Sequence, residues 1–109
     1  MSDAAIAGGG IAGMAAALAL AREGWRVTVC EAAPVPAEVG AGLQMSPNAT
    51  RVLRWLGVLD AVAAVAFRPR AAVMRDGRSG ARIYRVRLGA AAEARWGAPY
   101  LHVHRADLL

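Results

Sequence analysis

A chain of 109 residues is long enough for one small domain with a hydrophobic core. It is 57% hydrophobic, which excludes a disordered segment. Its net charge of +5 rests on 13 basic residues, all arginine; they form no dense run and carry no interleaved aromatics, so the balance does not read as nucleic-acid binding.

Ala4 to Ala21 carries no charge, yet it does not read as a membrane segment. Glycines interrupt it, and its helical part from Ile11 falls short of the roughly 20 residues a span needs. No basic residue precedes it and Asp3 is acidic, which argues against a signal peptide. Within it, Ala4 to Ala7 suits a buried parallel strand. Gly8-x-Gly10-x-x-Gly13 follows. Gly8 allows a tight strand-to-helix turn, Gly10 lets a pyrophosphate approach the backbone, and Gly13 lets the helix pack close to the strand. Ile11, Met14, Ala15 and Leu18 recur at helical spacing, and Gly24 ends that helix. The helix start offers unpaired N–H groups to phosphate oxygens. Arg26 to Cys30 is rich in β-branched residues and reads as a second strand. Glu31 ends it, where a carboxylate accepts hydrogen bonds from a ribose diol and repels a 2′-phosphate. Strand, glycine loop, helix, strand and acid together point to a dinucleotide site, with FAD and NAD both open at this stage. Cys30 is the only cysteine; it reads as a core residue, and its solitude agrees with a reducing, cytoplasmic compartment.

Ala32 to Pro47, with three prolines and two glycines, reads as an extended loop. Ser46 or Asn48 caps the next helix, with Pro47 in its first turn. Val52, Leu53, Leu56 and Leu59 form an apolar face, with Gly57 as a break between two short helices. Ala71 to Met74 and Ala81 to Leu88 read as two strands joined by the turn at Asp76, with Tyr84, Val86 and Leu88 on one face and Arg85 and Arg87 on the other. Ala90 to Arg95 reads as a short helix, Tyr100 to Val103 as a strand, and Arg105 as the start of another helix. His102 and His104 share a strand face, but no third ligand stands nearby, so no metal site is expected.

Three blocks resemble the N-terminus of the FAD-dependent aromatic-ring monooxygenases, the salicylate and hydroxybenzoate hydroxylase-like family. They are G-G-G-I-A-G-M-A-A-A-L-A-L-A-R-E-G-W-R-V-T-V-C-E, E-V-G-A-G-L-Q-M-S-P-N-A-T-R-V-L-R-W-L-G from Glu38, and Y-L-H-V-H-R-A-D-L-L from Tyr100. The resemblance covers essentially all 109 residues. It implies an α/β fold: a Rossmann-like βαβ FAD-binding unit with the first strands of an inserted antiparallel sheet, incomplete relative to the family fold. Residues 1–109 would be the N-terminal portion of the FAD-binding domain, and 70–104 would include strands of a substrate-side sheet. Gly8, Gly10 and Gly13 would surround the FAD pyrophosphate, and Glu31 would bind the adenosine ribose. Gly42 and Gln44, on the loop from Gly40 to Met45, would lie beside the flavin, and Arg105 would reach the cofactor from a helix start.

The activity implied is hydroxylation of a small aromatic, phenolic acid-like substrate with NAD(P)H and O2. No catalytic residue can be named among these 109, and the chain alone is expected to be an inactive piece of a longer enzyme. Neither nucleic acid nor membrane is expected as a partner. The alternatives are an NAD-dependent or another flavin-dependent oxidoreductase, and a non-catalytic nucleotide-binding remnant.

Overall fold

The structure, a computed structural model, describes residues 1–34 and 40–109. β1 (Asp3–Ala7), α1 (Ile11–Arg22) and β2 (Arg26–Cys30) form a βαβ unit at the N-terminus. β1 and β2 pair in parallel, from Asp3 opposite Arg26 to Ala7 opposite Cys30. The turn back from α1 is made by Gly24 at φ +83°, a left-handed conformation that suits glycine. There the Gly24 and Trp25 N–H groups close on the Ala21 and Leu20 carbonyls.

Both strands alternate exposed and half-buried residues. That corrects the expectation of a buried strand, because each strand has a single neighbour. Cys30 is likewise exposed, not a core residue.

β3 (Gly42–Met45) is a strand where an extended loop was expected. It pairs antiparallel with β6 (Leu101–His104), in the register Gly42–His104, Leu43–Val103, Gln44–His102 and Met45–Leu101. Directly opposed residues share a face, so Leu43, Met45, Leu101 and Val103 point together to one side. They meet Leu59 and Val62 of α3 (Leu59–Val65), and this is the chain's hydrophobic cluster. Leu101 is completely buried.

α2 (Pro47–Leu56) precedes α3 and ends at Gly57 in the left-handed region, so the expected break between two helices is there. Ser46 stands at the N-cap and Pro47 at the first helical position; the Ser46 hydroxyl bonds to the Asn48 side chain. Val52, expected on the apolar face, is exposed, while Leu56 and Leu59 are buried.

Thr50 is the one buried polar side chain among the described residues, and its hydroxyl lies 2.7 Å from the Pro99 carbonyl oxygen. It ties α2 to the approach of β6. Thr50→Val removes that donor and strands a buried carbonyl, which costs about 1–3 kcal/mol. Urea unfolding should show a lower midpoint at unchanged slope; an unmoved midpoint would show the bond contributes nothing.

β4 (Ala71–Arg75) and β5 (Arg82–Arg87) form a hairpin. Its turn is held by Asp76, whose carboxylate accepts from the Arg78 and Ser79 N–H groups and the Ser79 hydroxyl. Those bonds hold the Asp76 carboxyl below its ordinary value. Every residue of β5 is exposed, on both faces. Arg75, Arg78, Arg82, Arg85 and Arg87, neighbours in the sequence, all lie on this hairpin and its turn. The radius of gyration, 17.3 Å, exceeds the roughly 13 Å of a compact domain this long, because the elements do not share one central core. α4 (Ala90–Trp96) and α5 (Arg105–Leu108) complete the described elements, where the sequence placed helices. No described helix is long and apolar enough to cross a membrane.

Candidate functional site

The glycine loop between β1 and α1 is built by close approach. A Cβ on Gly13 would overlap the carbonyl oxygen of Gly8 and lie 3.0 Å from the Gly8 carbonyl carbon and 3.5 Å from Ile6 Cγ2. Only hydrogen fits there, so α1 starts directly against the end of β1. Gly8 itself sits at φ +104°, outside the range side-chain-bearing residues favour. Gly10 is the N-cap of α1 with an ordinary extended backbone and no capping side chain. A Cβ on Gly10 would meet nothing within 4 Å, so open space lies beside it. The first-turn N–H groups of α1 therefore have neither a helical carbonyl nor a side-chain cap. Glycine loop and helix start together form an accessible, electropositive surface suited to a diphosphate.

Glu31 follows the last residue of β2 and turns back over this loop. Its carboxylate accepts from the Ala33 N–H at 3.0 Å and from the Gly9 N–H. These two bonds, Ala33 first, hold the carboxyl below its ordinary value. The side chain is exposed and stays charged at neutral pH, as a ribose-binding acid must. Parallel pairing produces this placement: Gly8 N–H donates to the Cys30 carbonyl at 2.7 Å, which aligns the ends of β1 and β2.

Gly42, Gln44 and Arg105 lie on the β3–β6 ribbon and the helix after it. Gly42 and Gln44 occupy the ribbon face opposite the hydrophobic cluster, alongside His104 and His102. Gln44 Oε1 lies 3.4 Å from the Tyr100 hydroxyl. Arg105 opens α5, half-buried, and its N–H donates to the Ala41 carbonyl at 3.1 Å. His102 is packed among rings, 5.7 Å from Tyr100 and 6.3 Å from Phe67, while His104 is exposed. Among the described residues no group of three potential metal ligands occurs.

An apolar cleft of about 300 Å³ lies between α1, α2 and α5, and none of the candidate site residues Gly8, Gly10, Gly13, Glu31, Gly42, Gln44 and Arg105 lines it. Ile11 and Met14 of α1 line one side, Met45 of β3 and Leu53 of α2 another, and Asp107 and Leu108 of α5 close it. Of the ribbon that carries Gly42 and Gln44, β6 was expected from the sequence and β3 was not. G-L-Q-M alternates as a strand should, but four residues among prolines and glycines give too short a signal. The capping of α5 by His104 was missed for a similar reason, since histidine is not a usual N-cap residue.

Comparison with known proteins agrees with this geometry. Residues 3–96 match the family described as FAD dependent oxidoreductase. The chain is 46% identical over 104 residues to 3-amino-4-hydroxybenzoate 2-monooxygenase PtnB3 of Streptomyces platensis, covering 95% of this chain and 26% of that protein. It is 43% identical over 103 residues to 3-hydroxybenzoate 6-hydroxylase of Polaromonas naphthalenivorans, covering 94% of this chain and again 26% of the relative. Among solved structures, Klebsiella pneumoniae HpxO complexed with FAD and uric acid superposes with a TM-score of 0.84 at 32% identity, over 98% of this chain and 26% of that one. The chain thus spans about a quarter of the length of these relatives.

Proposed function

The chain belongs to the FAD-dependent oxidoreductases, and from that premise we propose that it is the FAD-binding N-terminal part of a monooxygenase that hydroxylates a small aromatic, phenolic acid-like substrate with NAD(P)H and O2. The observation that carries the reading is the contact at Gly13, where the start of α1 is pressed onto the Gly8 carbonyl beside the open space at Gly10. That arrangement suits the diphosphate of a dinucleotide. The fully ionised Glu31 supports a diol partner and disfavours a 2′-phosphate, consistent with FAD. The named relatives of PtnB3 and hydroxybenzoate hydroxylase type support the aromatic substrate.

In this reading Gly8, Gly10 and Gly13 surround the pyrophosphate and Glu31 accepts from the adenosine ribose. Gly42, Gln44 and Arg105 position the flavin end. Bound FAD supplies the redox chemistry, while the protein supplies orientation, charge and exclusion of water. α1 directs its first-turn N–H groups to the negative charge of the diphosphate. The β3–β6 ribbon presents its Gly42 and Gln44 face to the flavin end, with the hydrophobic cluster packed on its other face. The β4–β5 hairpin belongs to a substrate-side sheet, and its exposed apolar side chains are consistent with that role. The proposal includes a cytoplasmic setting without membrane or nucleic-acid partners. An NAD-dependent enzyme is the weaker reading, since the matched family uses FAD.

The protein expressed from its complete reading frame is expected to purify yellow and to oxidise NAD(P)H faster when a phenolic acid is added. A colourless protein without flavin would overturn the reading.

A further inference from the structure

We propose that His104 is the positioning residue of the cofactor site's second half: it clamps the Gly40–Gly42 backbone to the start of α5 and so fixes where Arg105 stands. The inference rests on the reading that Gly42, Gln44 and Arg105 face the flavin end.

Three contacts converge on this one residue. First, the strand register puts His104 directly opposite Gly42 at the end of the β3–β6 ribbon. Second, its imidazole lies against Gly40, where an added Cβ would overlap ring atoms Cε1 and Nε2 and lie 3.1 Å from Nδ1. The ring takes the space that a side chain at position 40 would occupy, so a substitution there would displace it. Third, His104 is the N-cap of α5, and its Nδ1 accepts from the Ala106 N–H at 3.3 Å. An accepting Nδ1 carries no proton, so this geometry specifies the Nε2–H tautomer.

The next residue adds a fourth link, the Arg105 N–H on the Ala41 carbonyl at 3.1 Å. Two consecutive N–H groups, of Arg105 and Ala106, are thus held by the loop and by His104. A four-residue helix has too few internal bonds to fix its own direction. Its orientation, and with it the position of the Arg105 backbone, depends on these contacts. His104 needs no contact with the cofactor to set its affinity.

The variants separate the two parts of the clamp. Asparagine is a good N-cap residue but is too short to cover Gly40 as the ring does. Amide hydrogen exchange on the protein expressed from its complete reading frame reads the clamp directly, with β1 and β2 as the internal control for an intact fold. In His104→Ala, exchange at Ala106 and Arg105 should rise about fivefold or more, the amount a lost N-cap confers. His104→Asn should restore protection at Ala106. Gly40→Ala, which displaces the ring, should raise exchange at Arg105 while β1 and β2 stay protected. Unchanged exchange at both amides in His104→Ala, or no recovery in His104→Asn, would overturn the clamp. FAD titration of the same proteins tests the link to the cofactor: His104→Ala should bind about tenfold more weakly, with partial recovery in His104→Asn. Wild-type protein that binds no FAD would count against the cofactor reading alone, because the exchange experiment still decides the clamp.

Discussion

Gly13→Val is expected to abolish FAD binding by preventing the first βαβ unit from closing. The new side chain would enter the space of the Gly8 carbonyl, which is backbone and cannot rotate aside. Overpacking against a rigid neighbour costs about 3 kcal/mol at the upper end of what inserted side chains cost. That is more than a hundredfold in an equilibrium. Here the unit has little to draw on, since no residue of α1 is fully buried. Gly10→Ala provides the contrast. Its Cβ meets no protein atom within 4 Å and its backbone is ordinary, so the fold should be unaffected. Its FAD affinity should nevertheless fall, because the methyl group stands where the diphosphate approaches. Urea unfolding and flavin fluorescence quenching read the two effects separately. Equal loss of stability in both variants would sink the assignment of Gly13 to packing and Gly10 to ligand approach.

Glu31→Gln is expected to weaken FAD binding roughly ten- to a hundredfold, the range for losing hydrogen bonds to a charged acceptor. The amide keeps the size of the carboxylate but gives up the charge and replaces one acceptor with a donor. The same carboxylate gives a pH signature. Its folded-state pKa is lowered by the Ala33 and Gly9 N–H groups, so its contribution to holding the loop is fully present above the ordinary carboxylate value. It is lost as pH falls through the lowered value. FAD affinity of the wild-type protein should therefore be flat through neutral pH and drop only in acid, while Glu31→Gln should lack that acid step. An identical acid profile in both proteins would show that another group is responsible.

Much of the first half of the site could be read from residues 3 to 31. Gly8, Gly13 and Glu31 each have a backbone reason for their identity, and those reasons act over a few residues or across one parallel pairing; Gly10 has an ordinary backbone with open space beside it. The second half was legible only as a list of residues. Gly42 and Gln44 were expected on a loop, yet they are in a strand, because their partners lie some sixty positions away at His104 and His102. Cys30 and Val52 were misjudged for a related reason. Their apolar character and spacing suit burial, but burial depends on what covers a face, and nothing among the described residues covers theirs.

By itself, then, the sequence determined the glycine turn, the helix it opens, the acid after β2, the hairpin at Asp76 and the helix start at Arg105. Most of these are set by local backbone preference and short-range hydrogen bonding, while the helix start at Arg105 also uses the distant Ala41 carbonyl. Only the tertiary structure decided that β3 exists and that His104 lies on Gly40. It also decided that Thr50 reaches Pro99. Those features depend on contacts between distant segments, whose formation depends on how the hydrophobic faces pack and leaves no periodic signature in any single stretch of chain.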